Sequence, residues 1–189
     1  FNVDSNKIFY ALGALKNVGI ESMKNIVEER NKDGSFQDIF DFAKRVELRK
    51  VGKRSLEMLI YAGVFDEISS NRNQLFQSID TLVEYSNLCF TEKNTGQNNL
   101  FGDTNDLLSY PDLKLIDDWD NSEKLKKEYE AVGFYLSAHP LDQYSKWFKS
   151  NSIYKFSELN DLLKSGPKLI KMCGSIINKQ ERISNKGNK

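Results

Sequence analysis

Leu15-Lys16-Asn17-Val18-Gly19-Ile20-Glu21-Ser22-Met23 and Leu48-Arg49-Lys50-Val51-Gly52-Lys53-Arg54-Ser55-Leu56 share one frame: apolar, two variable residues, Val-Gly, three variable residues, apolar. A Val-Gly pair of this kind closes a tight turn between two helices. The valine tucks into the core, and the glycine allows a positive φ, so that successive backbone N–H groups and the N-terminus of the next helix point outward. Such a row of donors binds an anion. The chain has no Walker lysine motif and no GxGxxG after a strand, so the anion that fits is a nucleic-acid phosphate, held without regard to base. The candidate contacts are Lys16, Val18, Gly19 and Ser22 in the first frame, and Lys50, Val51, Gly52, Lys53 and Arg54 in the second.

Other chemistry-bearing residues point to no reaction. Asp117, Asp118 and Asp120 are close enough in sequence to suggest Mg²⁺, but they stand at a helix start, where acidic side chains favour the helix dipole. His139, the only histidine, precedes Pro140 and has no acid, Ser or Cys arranged with it, so a capping or packing role is expected. Trp119 and Trp147 are expected to anchor helix packing. Cys89 and Cys173 form no CxxC and have no histidine cluster, so neither a disulfide framework nor a zinc site is indicated and two buried, reduced thiols are expected. Catalytic and metal-binding residues are therefore expected to be absent, and with them any cofactor.

Net formal charge is zero, from 27 basic and 27 acidic residues, but the charges are segregated. Basic residues gather at Lys44, Arg45, Arg49, Lys50, Lys53 and Arg54, and again at Lys164, Lys168, Lys171, Lys179, Arg182, Lys186 and Lys189, around an acidic middle from Asp103 to Glu130. A whole-chain balance can hide such opposed local fields. With 39% hydrophobic residues the 189-residue chain reads as soluble and globular. It carries no apolar run long enough for a bilayer and no signal-peptide pattern, so a cytoplasmic location is expected. Its abrupt ends suggest a piece of something larger.

The pattern is helical from Ile8 to Leu88. Leu15, Ile26 and Val27 fit a helix ending at Glu28-Glu29-Arg30; Ser35 can cap a helix from Phe36 to Ala43. A third is expected from Lys53 to Ala62, with Gly63 as its left-handed cap, and a fourth from Asn71-x-x-Gln74 to about Cys89. Residues 91–120 have the composition of a flexible linker. Asp120-x-x-Glu123 can cap a helix ending at Gly133, Pro140 can open another reaching Trp147 and Phe148, and Ser157 to Leu163 can form a short turn. Lys168 to Ile177 reads as a strand. The expected fold is mainly α. It comprises a helical domain at 1–90, a linker at 91–120, a helical connector at 121–166 and the first strand of a further domain at 167–189.

Three phrases carry a resemblance: Leu12-Gly13-Ala14-Leu15-Lys16-Asn17-Val18-Gly19, then Leu56-Glu57-Met58-Leu59-Ile60-Tyr61-Ala62-Gly63-Val64-Phe65-Asp66, then Val132-Gly133-Phe134-Tyr135-Leu136-Ser137-Ala138-His139-Pro140-Leu141-Asp142. Together they resemble the C-terminal half of bacterial DNA polymerase III alpha subunits, the C-family replicative polymerases, and the two frames resemble tandem helix-hairpin-helix motifs. Asn17 and Lys50 stand where that motif usually has its first glycine. The resemblance implies a tandem helix-hairpin-helix domain for duplex DNA, a connecting region, and the opening of an OB-fold, where Lys171, Lys179 and Arg182 would face single-stranded DNA. It implies a parent DNA-directed DNA polymerase with Mg²⁺ in an active site upstream, and other replicase subunits as partners. Gln97-Asn98-Asn99-Leu100-Phe101, in the linker, is similar to the pentapeptide that holds the sliding clamp in this family, with Gln97 on the pocket rim and Leu100 and Phe101 inside it. Two rival readings are a repair glycosylase or nuclease accessory carrying the same hairpins, and an interaction module in which the hairpins are purely structural.

Overall fold

Each Val-Gly frame closes on a tight helical turn that passes the chain into a longer helix. In the first copy a 3-10 turn at Leu12–Ala14 leads to α1, Ile20–Asp33, with Gly19 at its N-cap. In the second, α3, Leu48–Val51, leads through Gly52 into α4, Lys53–Tyr61. The left-handed glycine expected in both frames occurs only in the second, where Gly52 has φ 85°. In the first, Gly19 is extended at φ −75° and Asn17 takes the positive φ, at 58°. Asparagine tolerates this region better than other side-chain-bearing residues. Leu15, expected inside the first helix, lies ahead of it and is buried.

The computed structural model describes residues 2–4, 7–95, 109–164, 166–176 and 178–181. They fall into two units, residues 1–137 and 138–189. Among its described residues the first is helical apart from an antiparallel hairpin of β1, Asn2–Asp4, and β2, Lys7–Phe9, and an extended segment before the last helix. Its α2, Ile39–Arg45, starts three residues later than expected. The Asp38 carboxylate accepts from the amides of Phe40 and Asp41 at 2.8 Å and takes the capping role assigned to Ser35. Phe36 stays outside the helix, edge-on to Phe42, and Arg45 stacks 4.4 Å from its ring. Arg45 also donates to the carbonyls of Glu29 and Gly34, so this member of the basic cluster is an internal tie and not a surface cation.

Asn71 caps as its spacing predicts, accepting from the Gln74 amide at 2.8 Å, but the expected single helix is two: α5, Arg72–Gln77, and α6, Ile79–Thr95, broken at the buried Ser78. The core gathers Phe42, Leu48, Met58, Leu59 and Leu75, each at most 2% exposed. Ser86 on α6 is wholly buried and bridges the turn between α2 and α3, accepting from the Leu48 amide at 3.1 Å and donating to the Val46 carbonyl at 3.0 Å. A buried hydroxyl with both partners fixes backbone geometry. It sets the angle at which the second frame leaves the core.

The last helix of this unit is α7, Asn121–Val132, capped by Asp120 and ended by left-handed Gly133. The segment before it departs from the flexible linker expected there. From residue 109 it is an extended strap along α5: Asn71, Asn73 and Gln74 donate to the carbonyls of Ile116, Asp117 and Lys114 at 2.7, 2.7 and 2.9 Å. Leu113 and Trp119 pack on the core, and Lys127 of α7 places its ammonium 4.6 Å from the Tyr61 ring and 4.5 Å from the Trp119 ring. The polar composition that reads as linker is here spent on pairing an extended backbone.

In the second unit a 3-10 turn at Asp142–Tyr144 and α8, Ser145–Ser150, precede β3, Ile153–Tyr154; a turn at Phe156–Glu158 and α9, Leu159–Leu163, precede β4, Lys171–Met172. His139 works as a cap: its amide donates to Asp142 at 2.8 Å and its Nδ1 accepts from the Leu141 amide at 3.2 Å. The strand expected over residues 168–177 shrinks to β4, which pairs in parallel with β3. Two residues of pairing bury little. Cys173 is accordingly exposed, contrary to expectation, while Cys89 is buried. Trp147 is 56% exposed, more open than an anchor should be. Among the described residues, no helix is long and apolar enough to cross a membrane.

Candidate nucleic-acid interface

The two hairpins are tied to each other by a reciprocal pair of hydrogen bonds. Ser22 Oγ donates to the Lys50 carbonyl at 3.2 Å, and Ser55 Oγ donates to the Asn17 carbonyl at 3.4 Å. Ser22 and Ser55 occupy the same place in the repeated frame, as do Asn17 and Lys50. Residue i of one copy therefore meets residue j of the other and j meets i, the relation that defines a two-fold interface. The serine predicted to face phosphate in the first frame instead joins the copies.

The two copies differ in the donors they leave over. In α1 the first intrahelical bond recorded is from the Met23 amide to the Gly19 carbonyl, which leaves the amides of residues 20–22 beyond the helix end. In the second copy the Val51 and Gly52 amides, expected to face an anion, donate to the carbonyls of Glu47 and Leu48. α3 is helical up to the turn and consumes them. The first bond of α4 runs from Leu56 to Gly52, so the outward donors of this copy are the amides of residues 53–55. Val18 and Val51 both turn inward, Val51 buried and Val18 packed against the core.

The predicted cations surround this surface, and each has an internal partner. Lys50 pairs with Glu47 at 2.6 Å, Lys53 reaches both Asp80 oxygens at 2.9 and 3.0 Å, and Arg54 bonds Glu57 at 2.8 Å and Glu130 at 3.0 Å. The hydrogen bond to Asp80 raises the Lys53 pKa, and those to Glu57 and then Glu130 raise that of Arg54. Both remain cations at neutral pH. Lys16 lies against the end of α7: its amide donates to the Ala131 carbonyl at 2.9 Å and its ammonium sits 5.8 Å from the Tyr129 ring. The counterparts of Lys53 and Arg54 in the first frame are Ile20, 61% exposed, and Glu21, so the cationic contribution of these positions is confined to one copy.

Other predicted residues lie elsewhere. Gln97, Leu100, Phe101 and Arg182 are outside the described residues. Lys171 is exposed on β4, and Lys179 pairs with Glu181 at 2.5 Å. Among the acidic residues of the middle segment, Asp120 caps α7, and Asp118 accepts from the amides of Asn73 at 3.1 Å and Trp119 at 2.8 Å and pairs with Lys124. Glu128, 1% exposed, accepts from the Leu136 and Ser137 amides at 2.5 and 2.8 Å and so shapes the turn after α7. Sequence spacing gave no sign of Glu128, Asp80 or Glu130 as partners, because each bond depends on how distant helices pack.

Asp118 gives the strap a pH dependence. Burial alone would raise its pKa, but the bonds from Lys124 and the two amides outweigh that and bring it below the ordinary aspartate range. A lowered folded-state pKa adds stability that is present above the unfolded value and lost as pH falls through the folded one. Trp119 fluorescence should report an undocking transition below pH about 4, and Asp118→Asn should flatten that transition. An unchanged acid transition in the variant would assign it to another carboxylate.

Comparison with known proteins agrees with this geometry. A family model described as a helix-hairpin-helix motif matches residues 1–75. DNA polymerase III subunit alpha of Caulobacter vibrioides is 37% identical over 189 residues, all of this chain and 16% of that protein. The chain is homologous to a segment of DNA polymerase III alpha subunits. The same subunit of Borreliella burgdorferi is 34% identical across the full chain and 16% of its own length. That of Vibrio cholerae is 38% identical over 149 residues, 77% of this chain and 13% of its own. The chain thus spans about one sixth of the length of such relatives. The match extends past the hairpins and the strap into the second unit.

Proposed function

We propose that this chain is a DNA-binding and processivity region of a replicative DNA-directed DNA polymerase. The observation that carries the reading is the reciprocal Ser22–Lys50 and Ser55–Asn17 lock, which holds the starts of α1 and α4 in a fixed mutual arrangement. Two donor-rich helix ends at a set separation suit successive phosphates of a duplex, and contacts of this kind carry no base information. Lys16, Lys50, Lys53 and Arg54 add charge to the grip. Lys171, Lys179 and Arg182 of the second unit are assigned to single-stranded DNA, and Gln97, Leu100 and Phe101 to a sliding clamp. Polymerisation, its Mg²⁺ and the other replicase subunits belong to the parent protein, and its location is cytoplasmic.

The test is a salt titration of duplex binding on several unrelated sequences. Affinity should be alike on all of them and fall with salt at a log-log slope of about 0.9 for each phosphate neutralised. A slope near zero would remove the proposal. One observation favours the rival reading of structural hairpins: the carboxylate partners of Lys50, Lys53 and Arg54 satisfy these cations without DNA. Unchanged DNA binding by Lys53→Glu with Arg54→Glu would decide for that rival.

A further inference from the structure

Lys53 and Arg54 of the second hairpin are held by carboxylates brought from other helices, Arg54 sharing its guanidinium with Glu57 of its own helix. Asp80 lies in the first turn of α6 and reaches Lys53 across 27 residues of sequence; Glu130 lies in the last turns of α7 and reaches Arg54 across 76. A carboxylate and a phosphate ask the same of an ammonium or guanidinium, namely short charge-assisted N–H···O bonds. These partners are also displaceable. The Lys53, Asp80, Arg54 and Glu130 side chains are 58%, 77%, 52% and 50% exposed, so water screens both pairs and can replace either partner. The region of α7 that supplies Glu130 also touches the first hairpin, through the Ala131 carbonyl and the Tyr129 ring at Lys16. Both hairpins therefore meet one helix end.

We propose that Asp80 and Glu130 are internal competitors of DNA phosphate: they hold Lys53 and Arg54 in the free protein and yield them when a duplex binds. The inference rests on the DNA-binding reading above. Exchange limits affinity in two ways. The pairs must open, and each released carboxylate is then left near a phosphate of like charge. Uptake of solvent cation by those carboxylates offsets part of the counterion release, so the salt slope is shallower than the number of contacting cations implies. DNA occupancy also opens the Arg54–Glu130 link between α4 and α7, while the Lys127 contact with the Tyr61 ring keeps the two helices packed.

The experiment compares duplex binding by the 189-residue chain, by Asp80→Asn with Glu130→Gln, and by a charge-matched control, Glu67→Gln with Glu84→Gln. Glu67 and Glu84 are exposed, and Glu84 lies one turn from Asp80 on α6. The first pair should tighten binding by about two- to tenfold beyond the control and steepen the salt slope. The same pair placed in a Lys53→Gln, Arg54→Gln background should lose that gain, since a competitor has no effect once its cations are gone. Gains equal to the control, or gains that persist without Lys53 and Arg54, would overturn the proposal and leave DNA binding intact. Salt-independent or absent binding by the unsubstituted chain would instead overturn the functional reading, and this inference with it.

Discussion

Gly63→Ala should be among the most destabilising single substitutions in the helical unit, lowering unfolding free energy by about 3 kcal/mol or more. Gly63 has φ 75°, where a side chain is strained, but the larger cost comes from its neighbours. A Cβ there would stand 2.1 Å from Arg72 Nη2 and 2.7 Å from an Asp66 oxygen. Arg72 is 11% exposed in its side chain, donates to both Asp66 oxygens at 2.8 and 2.5 Å and to the Tyr61 carbonyl at 3.1 Å, and so ties the start of α5 to the end of α4. Alanine would displace the guanidinium from these bonds while leaving it partly desolvated. Gly34 is the internal control for space: its φ is 81° and ψ −175°, a region almost reserved for glycine, but nothing lies within 4 Å of its Cβ position, so Gly34→Ala should cost only the backbone strain, about 1–3 kcal/mol. Urea unfolding of both variants measures the difference. Equal losses would mean that the Arg72 tie contributes nothing.

Leu100→Ala with Phe101→Ala should abolish binding to the sliding clamp, a loss of about 100-fold or more, and leave DNA affinity within error of the unsubstituted chain. Short docking segments concentrate their energy in a few apolar anchors that fill a preformed pocket, and truncating one anchor commonly costs about 2 kcal/mol. Gln97→Ala should cost less, since a rim hydrogen bond exchanges with water and contributes about 1 kcal/mol. Surface plasmon resonance against immobilised clamp, with duplex binding measured in parallel, separates the two proposed functions. If clamp binding survives the double substitution, the pentapeptide is not the anchor. If DNA binding falls with it, the two residues support the helical unit.

The amino-acid sequence by itself determined the repeated frame, the inward valines, the Asn71 and Asp120 caps and the cap at Gly63. These depend on periodicity and on side chains that bond within three or four residues of themselves. It also made the polymerase homology legible, since three separated phrases kept order and spacing. It misplaced the start of α2 because Ser35 and Asp38 are both competent caps, and only packing of Phe36 against Phe42 and Arg45 chooses between them. The sequence could not show that a polar stretch is a strap, because Asn71, Asn73 and Gln74 must first be placed along α5 before its carbonyls have donors. Tertiary structure alone decided how the two hairpins face each other and which carboxylates hold their cations. Ser22 and Ser55 reach across 28 and 38 residues, and Glu130 across 76. Contacts at that separation leave no local pattern, since any exposed serine or glutamate could have made them and only the packing of α1, α4, α6 and α7 selects these.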